Sequence, residues 1–389
     1  RFYAVELTTG TFAPRGLFLC WRGPTTWART KLTNRRVNVK EKPMSNEKQP
    51  MKARVRKQKQ HMTQILLPWM PSHPEISFRH LHGPEDASAY VRLVEACREI
   101  DAIDPLSTLE SIPTVEEMRA AFADDHPQNV LFALHGDELI ASLRIFWWTE
   151  ADGTWLYLHL GQVVPKWRRR GLGTAMLHWG EERIRVLANE HPTNGKGVFG
   201  ANASSTEITA TELLLNEGYR CVHTNALMDF TDFRKLTEPR LPAQIERRDV
   251  RPDQIRSIWE AIARFWAGTS WGTPVPSEEE YQEFLHQPDL DPTLWQVAWD
   301  QDQPVGMVLG RLSNGCGYID EVSVEGTYRR QGIAQALILY TLAALSKRGV
   351  QRVRLHTDAN NRHGARSLYE KIGFSVTKEF LRYRKPLEM

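Results

Sequence analysis

At 389 residues, with 41% hydrophobic and 25% charged residues, the chain is too long for one ordinary core and fits two globular domains of roughly 150 residues plus a tail. No stretch of about eighteen consecutive apolar residues occurs, which argues against a membrane-spanning helix. Cys20, Cys97, Cys221 and Cys316 show neither CxxC nor Cys/His ligand spacing, so no disulfide framework and no metal site are expected and a reducing cytoplasm fits.

The net charge of +3 conceals an asymmetry. Residues 1–60 carry 15 Lys and Arg against 3 Asp and Glu, while residues 61–389 carry 35 against 44. The basic stretch lacks hydrophobic periodicity, and residues 1–73 read as a disordered extension, with a targeting segment or an arm for an anionic partner as alternatives. Met44, Met51 and Met62 are each plausible starts.

Regular patterning begins near residue 74. A strand over Ile76–Leu81 and a helix over Ala87–Ile100 precede a second helix, opened by Thr114 with Glu117 three residues on, a capping box. Strands follow at Val130–Leu134, Leu139–Trp148 and Trp155–Val164. A helix (Gly171–Ala188), a strand (Gly197–Ala201), a helix (Thr206–Asn216) and a strand from Tyr219 complete the first half.

The second half repeats the order. Its elements are predicted at Ile245–Val250, Pro252–Phe265, Ser277–His286, Trp295–Trp299, Val305–Arg311, Tyr318–Val324, Gly332–Arg348, Arg352–Thr357, Ala365–Ile372 and Phe374–Arg384. Thr231–Pro242, with Pro239 and Pro242, is the natural boundary, giving units at 74–235 and 243–389. Each half is α/β, with helices crossing between strands.

One segment of each half carries a glycine loop between strand and helix. Val163-Val164-Pro165-Lys166-Trp167-Arg168-Arg169-Arg170-Gly171-Leu172-Gly173 matches Val324-Glu325-Gly326-Thr327-Tyr328-Arg329-Arg330-Gln331-Gly332-Ile333-Ala334 at an offset of 161. Amides at a helix start lack intrahelical acceptors and carry the positive end of the dipole, so they bind phosphate oxygens. Gly332 admits the ligand close to the backbone, Ala334 keeps the first turn slim, and Arg329 and Arg330 add charge. Neither a Walker loop nor a GxGxxG fingerprint with its ribose acid is present.

This R-x-x-G-x-G/A pattern after a Val-x-Val strand end, preceded by two helices and a hairpin, resembles the pyrophosphate loop of the GNAT acetyltransferase superfamily. Asn361-Arg362-His363-Gly364-Ala365-Arg366-Ser367-Leu368-Tyr369-Glu370-Lys371-Ile372-Gly373-Phe374 resembles a second signature of the same superfamily. The likeness covers nearly all of 243–389, and in the first half rests on Arg168-Arg169-Arg170-Gly171-Leu172-Gly173 and the weaker Leu213–Tyr219. The tandem arrangement is similar to mycothiol synthase and its relatives. The resemblance implies a mixed α/β sheet in two tandem GNAT domains, acetyl-CoA as acetyl donor and an amine acceptor.

It further implies that pyrophosphate lies on Arg329, Arg330, Gln331, Gly332, Ile333 and Ala334, with Asn361 nearby and Arg168, Arg169, Arg170, Gly171 and Gly173 as the first half's counterparts. Pantetheine would follow the preceding strand at Val322, Ser323 and Val324. The spacing of Ile319, Val322 and Val324, three and then two, is irregular for a strand and compatible with the superfamily's β-bulge.

Tyr369 matches the general acid that protonates the departing thiolate, and Glu321, with Asp320 as alternative, is the candidate base. Where these stand, the first half has Leu214, His159 and Leu160, so it is expected to keep a cradle without the chemistry. Phe265, Trp266 and Trp271, in a Gly- and Trp-rich loop, are the candidate acceptor contacts. The acceptor stays open among glucosaminyl-cysteine, a peptide N-terminus, a polyamine and an antibiotic. A non-catalytic acyl-CoA sensor, or an acetyltransferase guided to nucleic acid by the tail, are the competing readings; nucleic acid is disfavoured, and a monomer or homodimer is expected.

Overall fold

A computed structural model describes residues 65, 67 and 75–388, apart from 108, 151, 192–195, 267–276, 288 and 361–363. The first half comprises β1 (Ile76–His80), α1 (Ala87–Cys97), α2 (Val115–Asp124), β2 (Val130–His135), β3 (Glu138–Thr149), β4 (Trp155–Val163), α3 (Leu172–Asn189), β5 (Gly197–Ser204), α4 (Ile208–Asn216) and β6 (Arg220–Phe230). The second comprises β7 (Glu246–Arg248), α5 (Ile255–Trp266), α6 (Glu278–Leu285), β8 (Trp295–Asp300), β9 (Gln303–Ser313), β10 (Cys316–Val324), α7 (Ile333–Lys347), β11 (Val353–Asp358), α8 (Ala365–Ile372) and β12 (Ser375–Pro386). No described helix is long and apolar enough to cross a membrane.

Local chemistry sets several of these boundaries. Thr114 N–H donates to Glu117 at 2.8 Å and Glu117 N–H donates to Thr114 Oγ1 at 3.2 Å, so the predicted capping box forms. Ser277 and Glu280 repeat it at the start of α6. The helix expected to reach Ile100 stops at Cys97, because Asp101 turns back to a two-bonded pair with Arg168 at 2.7 and 2.8 Å. The strand expected over Ile245–Val250 shrinks to Glu246–Arg248, which occupies the sheet edge, where short strands blunt unpaired backbone.

All strands join one 12-stranded sheet in the order β1-β2-β3-β4-β5-β12-β6-β11-β10-β9-β8-β7. The two halves exchange their last strands: β12 pairs with β5 from Phe380↔Ser204 to Pro386↔Val198, and β6 pairs with β11 from Val353↔Phe230 to Asp358↔Asn225. Pairing with β12 carries β5 on to Ser204, past the expected end at Ala201. Each half therefore depends on the other for the hydrogen bonds of an inner strand. Residues 243–389 expressed alone should not melt cooperatively, whereas co-expression with 62–242 should restore a soluble, cooperatively melting complex; circular dichroism checks both.

A loop of the first half, residues 101–113, locks the halves together. Asp104 pairs with Arg354 of β11 at 2.6 Å, the Tyr318 hydroxyl of β10 donates to Leu106 O at 3.0 Å, and Lys378 of β12 donates to both Glu110 carboxylate oxygens at 2.6 and 2.8 Å. Glu110 and Lys378 are both buried, and burial pushes the Glu110 carboxyl upward despite Lys378. Lys378→Met strands that carboxylate and should destabilise the fold by about 3 kcal/mol at neutral pH. The loss should shrink in acid, where Glu110 takes up a proton, and denaturant unfolding at two pH values reads it.

Leu67 is buried in the first core and Ile65 packs against that core. A chain beginning at Met62 retains both, so its melting temperature and activity should equal those of the full chain.

Candidate functional site

The second glycine loop grows out of an interruption in β10. Ile319 pairs with Gly310 and Glu321 with Leu309, leaving Asp320 as the extra residue of a β-bulge on the strand predicted to have one. Parallel pairing of β10 with β11 ends at Ile319↔Leu355. Beyond that point β10 is bonded to β9 alone, and alternate backbone groups face the opening between β10 and β11. Val322 and Val324 are half-buried, and Ser323 is buried with no hydrogen-bond partner for its Oγ among the described residues. An orphaned hydroxyl on this strand is a group left for a ligand.

The chain then turns through Arg330 at φ 64° and Gly332 at φ 85° into α7. These two left-handed residues, separated by Gln331, turn the chain sharply from the strand end into the helix start. No side chain caps α7, and Ala336 N–H to Gly332 O is its first closing bond. The amides of Ile333 and Ala334 thus face outward at the positive end of the helix. Arg330, Gln331 and Gly332 are exposed. Arg329 behaves differently: its guanidinium donates to Val324 O at 3.0 Å and Phe265 O at 3.4 Å, fastening the loop to the strand end.

Tyr369, on α8, is buried and meets Phe374 edge-on at 6.0 Å. Burial first, and then the charge of Glu321, push its phenol above the ordinary value. Glu321 is 3% exposed and lines a small cavity of about 30 Å³ with Ile262, Phe284, Trp295 and Asp320. The alternative base, Asp320, is held by Arg311 at 2.8 and 3.2 Å, with the guanidinium stacked 4.3 Å from the Tyr318 ring.

The candidate acceptor contacts are corrected in part. Phe265 is 3% exposed and lies in the core with Ile258, Ile262 and Phe284, because it continues the apolar face of α5; it packs and does not line a pocket. Trp266 ends α5. Trp271 and Asn361 lie outside the described residues.

The first half builds the same loop. Arg169 at φ 63° and Gly171 at φ 81° precede an uncapped α3, and Arg168 donates to Val163 O at 2.8 Å as Arg329 does to Val324. Arg169 pairs with Glu212, and Arg170 stacks over Trp167 at 4.9 Å. A Cβ at Gly173 would stand 3.2 Å from Leu213, so that glycine serves packing of α3 on α4. β4 pairs with β3 from Trp155 to Val163 without a bulge, and its pairing with β5 ends at Leu158↔Gly200.

The opening beyond Leu158 holds a cavity of about 250 Å³, lined among others by His159, Gln162, Gly171, Gly173 and Leu214. His159 bonds the Tyr219 hydroxyl at 2.8 Å, Tyr219 donates to Glu181 at 2.9 Å, and Lys385 of β12 donates to Glu181 at 2.9 and 3.1 Å. Burial pushes His159 down to about 4 against the opposing charge of Glu181, so it is neutral near pH 7. Sequence reading took His159 singly and missed its partners. The available signal was Glu181, a carboxylate placed among Leu177, Gly180 and Ile184 on the buried face of α3.

The comparisons with known proteins agree with this geometry. The acetyltransferase (GNAT) family matches residues 94–190 and 255–374, more than half of the chain. A mycothiol acetyltransferase of Thermobispora bispora is 28% identical over 78% of this chain and 97% of its own length. N-alpha-acetyltransferase 30 of Schizosaccharomyces pombe is 35% identical over 28% of this chain and 72% of its own. Among solved structures, a GCN5-related N-acetyltransferase from Sphaerobacter thermophilus aligns with a TM-score of 0.60 and 27% identity over 82% of this chain and 98% of that one. A tandem GNAT protein from the clavulanic acid biosynthesis pathway shares the fold, with a TM-score of 0.55 and 14% identity over 81% of this chain and 99% of that one. With two family-matching regions, each holding an uncapped anion loop, the chain belongs to the GNAT family as a tandem acetyltransferase whose acetyl donor is acetyl-CoA.

Proposed function

We propose that the enzyme moves an acetyl group from acetyl-CoA to a primary amine by direct attack in residues 243–389, which carry the main activity, while residues 74–235 complete the sheet and present a second anion loop. The observation that carries this reading is the bulge at Asp320, beyond which β10 parts from β11 and leaves the Ser323 hydroxyl unpartnered among the described residues, ahead of the uncapped start of α7. The pyrophosphate rests on the first-turn amides of α7, with Arg330 adding charge, and the pantetheine arm runs past Val322, Ser323 and Val324.

Glu321 accepts a proton from the incoming ammonium. The amine nitrogen attacks the thioester carbon, backbone amides facing the opening hold the oxyanion, and the C–S bond breaks. Tyr369 protonates the departing sulfur. Its raised pKa keeps the hydroxyl in the acid form throughout the neutral range, at the cost of a steeper transfer. The thiolate leaves into the same dry surroundings, where its own basicity rises in step. Glu321 passes its proton back to the phenolate through water, and the second proton of the attacking nitrogen leaves to solvent, so amide, free thiol, tyrosine and carboxylate are all regained.

Relatives named mycothiol acetyltransferase align along most of the chain, and those named N-alpha-acetyltransferase 30 along about a quarter of it. These names support a small-molecule amine first and a peptide N-terminus second. A thiol-release screen with acetyl-CoA against small amines, aminothiols and short peptides tests the reading. Saturable, amine-dependent release is the expected result. CoA binding without release for any amine would instead make the protein a sensor.

A further inference from the structure

We propose that the cavity of the first half is a second acyl-transfer centre, in which His159 takes the proton of a small amine attacking an acyl thioester and Gln162 binds an oxygen of the donor's arm further along β4. The proposal rests on the reading that the anion loops seat the donor's pyrophosphate.

Three observations carry it. First, a polar chain has been built where the other half is apolar. Tyr219 and Glu181 occupy the places of Phe374 and Leu342, which are 3% and 0% exposed core residues. Both replacements are themselves buried, and both converge on His159, the counterpart of Asp320. Burying such groups is costly unless each satisfies the next, so the three form a unit.

Second, the bonding fixes the histidine tautomer. The Tyr219 hydroxyl donates to Glu181, so its lone pair accepts from His159 Nε2–H. The other ring nitrogen, Nδ1, is then unprotonated and is a proton acceptor on a residue that lines the cavity. Glu181 is flanked by Lys385 at 2.9 Å and Arg185 at 3.5 Å, two cations that pair with it beneath the tyrosine.

Third, Gln162 lines the same cavity, is 7% exposed, and has a buried Nε2 with no hydrogen-bond partner among the described residues. It stands where the second half has Ser323, whose Oγ is likewise unpartnered. A buried amide donor without an acceptor is costly and marks a place for a ligand oxygen.

The step balances within these groups. The amine nitrogen forms a C–N bond to the thioester carbon, and the carbonyl electron pair moves onto oxygen, which faces the backbone amides of β4 left open beyond Leu158. The nitrogen's proton passes to His159 Nδ1, while Nε2–H, Tyr219 and the Glu181 carboxylate share the charge. Collapse breaks the C–S bond, and the departing thiolate takes the proton from His159 to leave as free thiol.

The test uses the full chain carrying Glu321→Gln and Tyr369→Phe, which silences the second half. With acetyl-CoA and a panel of small amines, this double variant should keep a measurable amine-dependent thiol release. Adding His159→Gln should lower that residual rate about tenfold or more. Tyr219→Phe, which keeps the ring but breaks the relay, serves if His159→Gln fails to fold. In ¹⁵N-histidine NMR, the His159 Nδ1 resonance should be that of an unprotonated nitrogen and should move on addition of CoA. No residual release, a residual rate indifferent to these changes, or an Nδ1 signal unmoved by saturating CoA would each overturn the proposal. A double variant as fast as the unaltered chain would instead overturn the assignment of the main activity to Tyr369 and Glu321.

Discussion

Tyr369→Phe should lower the turnover number by roughly 10²- to 10⁴-fold, with affinity for CoA changed by no more than about twofold. The substitution deletes one oxygen and keeps the ring that packs edge-on against Phe374 at 6.0 Å, so the fold should survive with a melting temperature close to that of the unaltered chain. Burial and the charge of Glu321 hold the phenol in its acid form, which gives the pH profile a sign. No loss of rate from tyrosine ionisation should be seen as pH rises toward about 10, the ordinary phenol value. Glu321→Gln should remove whatever acid limb the unaltered enzyme shows. Single-turnover measurements, in which chemistry limits the rate, are the decisive readout; an unchanged rate for the phenylalanine variant would take Tyr369 out of the reaction.

Gly332→Trp should reduce amine acetylation at least about 10²-fold. At φ 85° the backbone lies where side chains are strained, and a Cβ there meets nothing within 4 Å. The indole is therefore expected to project into the ground in front of the α7 amides, where the pyrophosphate must come to the backbone, with no protein wall to meet. Calorimetric titration with CoA should show the affinity falling with the rate. The matching Gly171→Trp change alters the first loop and should cost the main activity far less. The reverse pattern, in proteins that both melt normally, would move the main active site to the first half.

Much of this protein is determined locally and was legible in its sequence. The Thr114 and Ser277 capping boxes satisfy helix-end amides within four residues, and the Arg-Arg-x-Gly turns need a glycine at the left-handed residue before the helix wherever the segment sits. The uneven spacing of Ile319, Val322 and Val324 reported a bulge because strand side chains alternate, and an extra residue breaks that alternation at Asp320.

What only the tertiary structure decided concerns partners distant in sequence. Arg329 and Arg168 read as charges for a phosphate, yet each turns to the carbonyl that ends its own strand. Phe265 read as a pocket wall, but the pitch of α5 carries it into the core. His159 read as a lone histidine until Tyr219, Glu181 and Lys385, up to 226 residues away along the chain, closed around it. The exchange of β6 and β12 is likewise invisible to periodicity. A strand's alternating pattern specifies which face is buried but not which neighbour completes its hydrogen bonds, and that choice falls to the three-dimensional packing of the two halves.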